Sequence, residues 1–262
     1  MAIQIIEKAI IGKQNQETCE DGIVVTDDFV AVIDGSTSKT PNRLNPNMKN
    51  GRYCMILISQ CLQKIPANIS CPEFCKEITD FIASQYFHNQ LDIKKLTLHP
   101  EERATASAII YNNYRKEIWM IGDCQCLVDN QLYNNDKPYE NQIAQKRVQL
   151  IKSGLTPQKA RELIEPDLIQ AMLEGQNKHY SVIDGFPICE NNIKIVSTVN
   201  SHQIVLASDG YPFLKNTLKE SESLLEQQLK NDPQNIRTFI ATKGLMPGNK
   251  SFDDRSYIRF FI

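Results

Sequence analysis

Three apolar runs in this chain each end in an aspartate beside a glycine. The runs occupy residues 29–33, 118–121 and 204–207. Each is short, rich in β-branched or aromatic residues and bounded by a turn-forming pair, which is the pattern of a buried strand. A single Asp-Gly pair often only makes a turn. Three of them at strand ends indicate instead that carboxylates gather at one edge of the folded chain.

The acidic residues that follow these runs, or lie beside other predicted strands, are Glu20, Asp21, Asp34, Asp123, Asp209, Asp253 and Asp254. Carboxylates that converge repel one another and raise each other's pKa unless a cation neutralises them. An all-oxygen set suits a hard divalent ion such as Mg²⁺ or Mn²⁺. Two such ions that share a carboxylate activate a water for attack on phosphorus. The pattern therefore predicts a two-metal hydrolase.

Groups of strands alternate with groups of helices along the rest of the chain. Short strands between residues 104 and 133 predict an antiparallel meander, because their connections are too short for a helical crossover. Hydrophobic periodicity predicts helices over about residues 55–65, 74–82, 138–175 and 221–242, with a break or kink at Pro166. This order predicts an α+β fold. No linker or repeat divides the sequence, so we expect one domain over residues 1–262.

The charge balance argues against several classes of partner. The 29 Lys and Arg residues face 31 Asp and Glu, for a net charge of −2. No block of like charge is long enough for a nucleic-acid arm or a polybasic membrane patch, so we expect neither partner. No secretion signal or membrane-spanning stretch is apparent, which predicts a cytoplasmic protein. In that reducing compartment the eight cysteines are expected to be free thiols, most of them in the core.

The acidic motifs, taken in order, resemble those of a known family. They are Glu20-Asp21, Val-Ala-Val-Ile-Asp-Gly at 30–35, Arg-Ala-Thr-Ala at 103–106, Ile-Gly-Asp at 121–123, Leu-Ala-Ser-Asp-Gly at 206–210 and Phe-Asp-Asp-Arg-Ser at 252–256. Their order and strand context resemble a compact bacterial-type member of the metal-dependent type-2C protein phosphatase (PPM) family. The resemblance implies a sandwich of two antiparallel β-sheets flanked by helices, with two Mg²⁺ or Mn²⁺ ions at one end.

The resemblance also implies roles for the motif residues. Asp34 would bridge both ions and Gly35 would offer its carbonyl. Glu20 would bind one ion, and Asp209 and Asp253 the other. Asp34 and Asp209 would thereby act in catalysis through the metal-bound water.

Three further acids would support this centre. The resemblance makes Asp21 and Asp254 supporting acids, and places Asp123 either behind the ligands or at a third, weaker ion. Residues 138–190 would form the variable flap of the family, which contacts substrate. The substrate would be a phosphorylated protein that a cognate Ser/Thr kinase supplies.

Two positions depart from the family pattern. Many members have a histidine after Asp34-Gly35 that protonates the leaving group, but this chain has Ser36, so that role is unassigned. The phosphate-binding arginine of the family is replaced by Gln16. The remaining candidates for binding phosphate are Lys13, Arg43 and Arg103.

Three functions compete on this reading. The leading one is hydrolysis of phosphoserine or phosphothreonine in proteins by a metal-activated water. A catalytically weak regulatory binding module is the second, because the histidine and arginine are missing. The third is a two-metal hydrolase of a small phosphate ester. Asp184, which also precedes a glycine, is left out of the metal set because the following Phe-Pro pair favours a turn.

Overall fold

This computed structural model describes residues 3–262 of the chain, which contain ten strands and six α-helices. The strands are β1 (Gln4–Ile11), β2 (Asp21–Val25), β3 (Phe29–Gly35), β4 (Ala106–Asn112), β5 (Glu117–Ile121), β6 (Gln125–Val128), β7 (Gln131–Tyr133), β8 (Lys194–Ser197), β9 (Gln203–Ala207) and β10 (Arg255–Phe261). The helices are α1 (Asn50–Leu62), α2 (Cys71–His88), α3 (Ile93–Leu98), α4 (Glu140–Lys152), α5 (Pro157–Gly175) and α6 (Leu218–Asn231).

The strands form two five-stranded antiparallel sheets. One sheet has the order β1-β10-β9-β6-β7 and the other the order β2-β3-β4-β5-β8. Val32, Ile109 and Leu206 belong to the core between the sheets. Ala31 and Ile33, on the opposite face of β3, pack against the layer that contains α1 and α2. Because β3 is covered on both faces, its sequence is a continuous apolar run rather than an alternating one. The predicted α+β sandwich is confirmed.

One connection differs from the predicted meander. β5 and β6 lie in different sheets, so residues 122–124 carry the chain across the sandwich. Gly122 has a φ of +96°, and a Cβ at this position would lie 2.2 Å from Ser107 Oγ. Only glycine fits such a turn. A short polar loop in a sequence predicts a hairpin equally well, which is why the change of sheet was not foreseen.

Helix α6 is shorter than predicted. The prediction that the helix extends to residue 242 is wrong. The helix ends at Asn231, and Pro233 follows Asp232. A residue before proline disfavours the helical conformation. The Asp232 carboxylate then accepts hydrogen bonds from the backbone N–H groups of residues 236–238 at 2.8–3.1 Å. These bonds give the following segment an alternative to a helix.

We expect Asp232 to stabilise the protein at neutral pH but not in acid. Burial raises its pKa, but the hydrogen bonds from residues 236–238 outweigh burial, and the folded pKa lies below 3.8. A carboxyl group whose pKa is lower in the folded state than in the unfolded state stabilises the fold at pH values above the unfolded pKa. This stabilisation is lost as the pH falls through the folded pKa. Asp232→Asn should lower the free energy of unfolding by about 1–3 kcal/mol at neutral pH. Urea unfolding at neutral and acid pH tests this, and an equal loss at both would contradict it.

The segment between β7 and β8 is mainly helical. Ile143 of α4 packs against Ile164 and Leu168 of α5 in a small core of their own. The side chain of Thr156 accepts a hydrogen bond from Lys159 N, which confirms the predicted start of α5. The predicted end at Gly175 is confirmed as well.

The sequence predicted a break or a kink at Pro166. The break does not occur, because α5 runs through this exposed residue without interruption. Proline removes one intrahelical hydrogen bond and crowds the preceding turn. Packing of Ile164 and Leu168 against α4 on either side of Pro166 holds the helix together.

All eight cysteines are free thiols, and all but Cys189 are buried, as the sequence predicted for most of them. None of the helices in residues 3–262 is long and apolar enough to cross a membrane.

Candidate active site

Pairing of β2, β3 and β4 brings polar side chains into one row at the end of a sheet. Asp21 lies opposite Asp34 in the β2–β3 pair, and Asp34 lies opposite Ser107 in the β3–β4 pair. The Ser107 hydroxyl donates a hydrogen bond to Oδ1 of Asp123 at 2.5 Å. Asp123 reaches this position because the chain turns at Gly122, directly after β5.

The other sheet contributes acids to the same end of the sandwich. In the β9–β10 pair, Ala207 lies opposite Tyr257. Asp209 therefore follows the end of β9 close to the point where Asp253 and Asp254 precede the start of β10. Antiparallel pairing therefore sets these two parts of the chain side by side.

A pocket between the sheet ends is lined by Asp34, Asp123, Asp209 and Asp253. Burial raises the pKa of Asp34 well above its ordinary value, and the charges of Asp209 and Asp21 add to the rise. Asp34 therefore lies within reach of the negative charges of Asp209, Asp21 and Asp123, as expected for carboxylates that converge.

Two carboxylates beside this pocket are almost completely buried. Glu20 is 1% exposed and Asp21 is 3% exposed. Oε1 of Glu20 and Oδ1 of Asp21 have no hydrogen-bond partner among residues 3–262. Burial and the charges of Asp209 and Asp254 raise the pKa of Asp21 to about 7. Unpartnered buried carboxylate oxygens are costly. Lys13 and Lys49 approach only the other oxygen of Glu20, at 3.9 and 3.7 Å, so Oε1 of Glu20 is left without a donor or cation.

The backbone at Gly35 passes close to Glu20 and to the start of α1. Gly35 N donates a hydrogen bond to Glu20 O at 3.2 Å. A Cβ on Gly35 would lie 2.5 Å from Gly51 O, and a Cβ on Gly51 would lie 2.8 Å from Oε1 of Glu20. The two glycines thus let the N-terminus of α1 approach a carboxylate, whose charge a helix N-terminus favours.

Asp254 holds the loop that carries Glu20. Its Oδ1 accepts a hydrogen bond from Lys13 N at 2.7 Å, and its Oδ2 accepts one from Glu20 N at 3.1 Å. Thr37 donates its hydroxyl hydrogen to Oε2 of Glu20 at 3.0 Å. Asp254 thus fixes the backbone of Glu20 from behind the pocket, and Thr37 fixes its carboxylate from the pocket wall.

Lysine side chains pair with the acids of the pocket. Lys13 Nζ lies 2.8 Å from Oδ1 of Asp253, and Lys243 also forms an ion pair with Asp253. Lys137 pairs with Asp123. Burial alone would raise the pKa of Asp123, but Lys137 outweighs burial and lowers it. Ammonium groups of the chain itself therefore neutralise part of the negative charge.

The oxygen donors suit a hard divalent cation, although they do not form a ready-made cage. Within residues 3–262, no group of three or more Asp, Glu, His or Cys side chains is arranged to hold a metal ion. The orphaned Oε1 of Glu20 and the raised pKa of Asp34 mark negative charge that a divalent ion would neutralise. The donor chemistry thus fits Mg²⁺ or Mn²⁺, and Lys13 and Lys243 would have to leave Asp253 to admit one.

Solved structures include chains with the same arrangement of sheets and helices. A bacterial serine phosphatase aligns with 100% of this chain and 98% of its own, at a TM-score of 0.51 and 15% identity. Serine/threonine phosphatase Stp1 from Staphylococcus aureus aligns with 100% of this chain and 95% of its own, at the same TM-score and identity. The chain has the fold of these bacterial phosphatases. No protein-family model and no curated protein matches the sequence, so the likeness is one of fold.

The segment at residues 138–190 forms one wall of the pocket in this phosphatase fold. Tyr139 and Glu140, at the start of α4, line the pocket together with Arg161 of α5. Gln176 and Tyr180, beyond α5, line it as well. A molecule in the pocket would therefore contact this segment, whose role as a substrate-contacting flap stays a prediction.

Four basic residues of the pocket were missed by the sequence analysis: Lys39, Lys137, Arg161 and Lys243. Each lies in a polar stretch or on a polar helix face, where a basic residue is usually a solvated surface charge. No local signal separates them from the other basic residues of the chain. Their position depends on how the long connections fold over the sheet ends.

The three basic residues proposed from the sequence lie in different places. Lys13 reaches the acids but is bound to them. Arg43 is exposed and does not line the pocket. Arg103 is 9% exposed, does not line the pocket either, and donates to Oδ2 of Asp184 at 2.8 Å. Its other guanidinium nitrogens donate to the carbonyls of Leu96 and Thr97, so Arg103 is held in place away from the pocket.

The structure also shows where the two residues that depart from the family pattern, Ser36 and Gln16, are located. Ser36 lines the pocket beside Gly35. The side-chain oxygen of Gln16 accepts a hydrogen bond from Gly12 N at 3.3 Å, within the loop before Glu20. Gln16 therefore closes a local turn and does not line the pocket.

Proposed function

We propose that the protein is a metal-dependent phosphatase that hydrolyses phosphoserine or phosphothreonine in proteins. The observation that carries this proposal is one pocket lined both by Asp34, Asp123, Asp209 and Asp253 and by the basic side chains of Lys39 and Arg161. Acids that hold cations, next to basic groups that attract an anion, suit a phosphate ester. The fold shared with bacterial serine/threonine phosphatases supports the same conclusion.

The residues proposed to hold two Mg²⁺ or Mn²⁺ ions, with a third weaker ion near Asp123, are Glu20, Asp34, the carbonyl of Gly35, Asp209 and Asp253. When bound, the ions would supply a water activated for attack on phosphorus. Ser107 and Lys137 orient Asp123 by direct contacts. Asp21 and Asp254 act from behind the pocket, Asp254 by holding the backbone of Glu20.

Arg161 is our candidate for orienting the phosphoryl group. It lines the pocket, and its Nη1 donates to Thr242 O at 2.7 Å, which fixes the guanidinium at the pocket wall. A guanidinium keeps its charge at any ordinary pH and suits two phosphate oxygens at once. In this proposal Arg161 replaces Arg43 and Arg103, which do not line the pocket.

A binding module is the second candidate, because Lys13 and Lys243 already pair with Asp253. Permanent ion pairs there would leave a site that holds a phosphoprotein without hydrolysing it. Small phosphate esters are the other alternative substrates.

Side-by-side assays separate these functions. We expect the protein with Mn²⁺ to release phosphate from phosphoserine and phosphothreonine peptides, and faster than from nucleotides or sugar phosphates. Preference for a small ester would reassign the substrate class. Metal-independent, stoichiometric capture of phosphopeptides without phosphate release would favour the binding module.

A further inference from the structure

Hydrolysis of a phosphoserine ester needs a proton donor. The seryl oxygen leaves as a strongly basic alkoxide, and a positioned acid that protonates it accelerates such a step. Ser36 follows Asp34-Gly35 in the pocket, and a serine hydroxyl is a very weak acid. None of the four histidines of the chain lines this pocket. Another side chain of the pocket wall is therefore needed if the chain itself supplies the proton.

Lys39 is placed for this role. It lies on the connection between β3 and α1, is half-buried, and lines the same pocket as Asp34 and Asp209. Lys13 and Lys243 each pair with an aspartate of this site. The Lys39 ammonium, in contrast, has no hydrogen-bond or ion-pair partner within the described residues 3–262. The Lys39 ammonium is therefore free to meet a bound ester.

The charged groups that face Lys39 come from three parts of the chain. Arg161 and Glu165 belong to α5, Lys137 follows β7, and Lys243 follows α6. Burial, and then the charges of Arg161 and Lys243, lower the pKa of Lys39 to about 7, although Glu165 opposes them. An acid is most effective when its pKa lies near the working pH.

We propose that the Lys39 ammonium protonates the seryl oxygen as it leaves phosphorus. This inference rests on the phosphatase function proposed above. A water oxygen forms the new bond to phosphorus, and the bond from phosphorus to the seryl oxygen breaks. The electron pair of the broken bond takes the proton from Nζ. The products are inorganic phosphate and a serine hydroxyl, and the neutral amine of Lys39 regains from solvent a proton that the attacking water has released.

Other acidic groups of the pocket suit this step less well. Burial raises the pKa of the hydroxyl groups of Tyr139 and Tyr180 above the ordinary value of 10.0, which makes them weaker acids. Arg161 cannot release a proton at ordinary pH. Two competitors remain. Lys243 lines the pocket, and its ion pair with Asp253 would break on metal binding. Glu140, whose pKa burial raises, enters the test as its own variant.

The test compares leaving groups. Wild type, Lys39→Met, Lys39→Arg and Glu140→Gln are assayed with Mn²⁺ on a phosphoserine peptide and on p-nitrophenyl phosphate. Nitrophenolate is a stable anion that leaves without a proton. We expect both Lys39 variants to lose about 100-fold or more in kcat on the peptide and to change little on the aryl ester. Lys76→Met, which removes an exposed lysine on α2, is the matched control and should match wild type on both substrates.

The two Lys39 variants separate proton donation from phosphate binding. Arginine keeps the positive charge but does not give up its proton. If Lys39 only binds phosphate, Lys39→Arg will keep activity, Lys39→Met will raise KM on both substrates, and the proposal is overturned. A peptide-specific loss in Glu140→Gln alone would overturn it too. Wild type inactive on both substrates would remove the proposed function itself, and the role of Lys39 with it.

A measurement that does not depend on turnover supplements the assays. Acetic anhydride labels neutral amines, and mass spectrometry reads the labelling of each lysine against pH in the metal-free protein. Lys39 should reach half-maximal labelling near pH 7, whereas the side-chain amine of a free model lysine does so near its ordinary pKa of about 10.4. Equal midpoints for Lys39 and the model lysine would contradict the proton-donor role. Thermal unfolding of each variant checks that the fold is intact.

Discussion

Asp34→Asn is expected to abolish phosphatase activity while leaving the fold intact. Asp34 lies at the end of β3, opposite Asp21 and Ser107, and is the acid proposed to bridge two ions. Mutation of a residue that only supports a metal ligand lowers metal affinity or activity by about 10–100-fold. Mutation of the bridging ligand itself should therefore lower kcat/KM by more than about 100-fold. Burial and the charges of Asp209 and Asp21 disfavour the ionised form of Asp34. Its neutral isostere should therefore not lower the free energy of unfolding of the metal-free protein.

Asp27→Asn is the matched control for this variant. Asp27 is exposed and lies in the turn that joins β2 to β3, at the opposite end of these strands from Asp34. The same chemical change there should alter neither phosphate release nor the urea midpoint. Near-wild-type kcat/KM in Asp34→Asn would show that the metal ligands are assigned incorrectly.

Asp184→Ala should cause a large loss of stability. Asp184 is fully buried and accepts hydrogen bonds from Arg103 and Gln176, each at 2.8 Å. Asn177 and the backbone N–H of Phe186 donate to its other oxygen. Removal of one partner of a buried ion pair leaves the other charge uncompensated, at a cost of about 3–5 kcal/mol. Urea denaturation monitored by circular dichroism measures the change.

The exposed pair of Lys146 and Asp167 provides the comparison. Their nitrogen and oxygen lie 2.6 Å apart, but the side chains are 52% and 36% exposed. Asp167→Ala should therefore cost less than about 1 kcal/mol. A similar small effect in Asp184→Ala would contradict a structural role for the Arg103–Asp184 pair.

The strand ends and their acids were predictable from the sequence because both are local. The residues that precede Asp34 and Asp209 form buried strands, and strand pairing then sets the acids side by side. The start of α5 at Thr156 was predictable for the same reason, since a capping residue followed by proline acts within one turn.

The basic residues of the pocket were not predictable, because long-range packing places them. Lys39 and Lys243 belong to irregular connections, and Arg161 reaches the pocket through the packing of α5 on α4. The true partner of Arg103 was equally hidden, since Asp184 is distant in sequence. The available signal was that Asp184 had no role in the proposed metal site. An arginine that is buried needs an acidic partner, and Asp184 is the partner of Arg103.

Phosphate release from a phosphoserine peptide, measured with Mn²⁺ and again after chelation, tests the central claim most directly. Wild type and Asp209→Asn are compared at equal concentration, with calorimetry of Mn²⁺ binding to both proteins. The account predicts repeated turnover by wild type with Mn²⁺, none after chelation, and weakened Mn²⁺ binding with loss of turnover in Asp209→Asn. Turnover that persists after chelation, or wild type that binds Mn²⁺ and releases no phosphate, would contradict it.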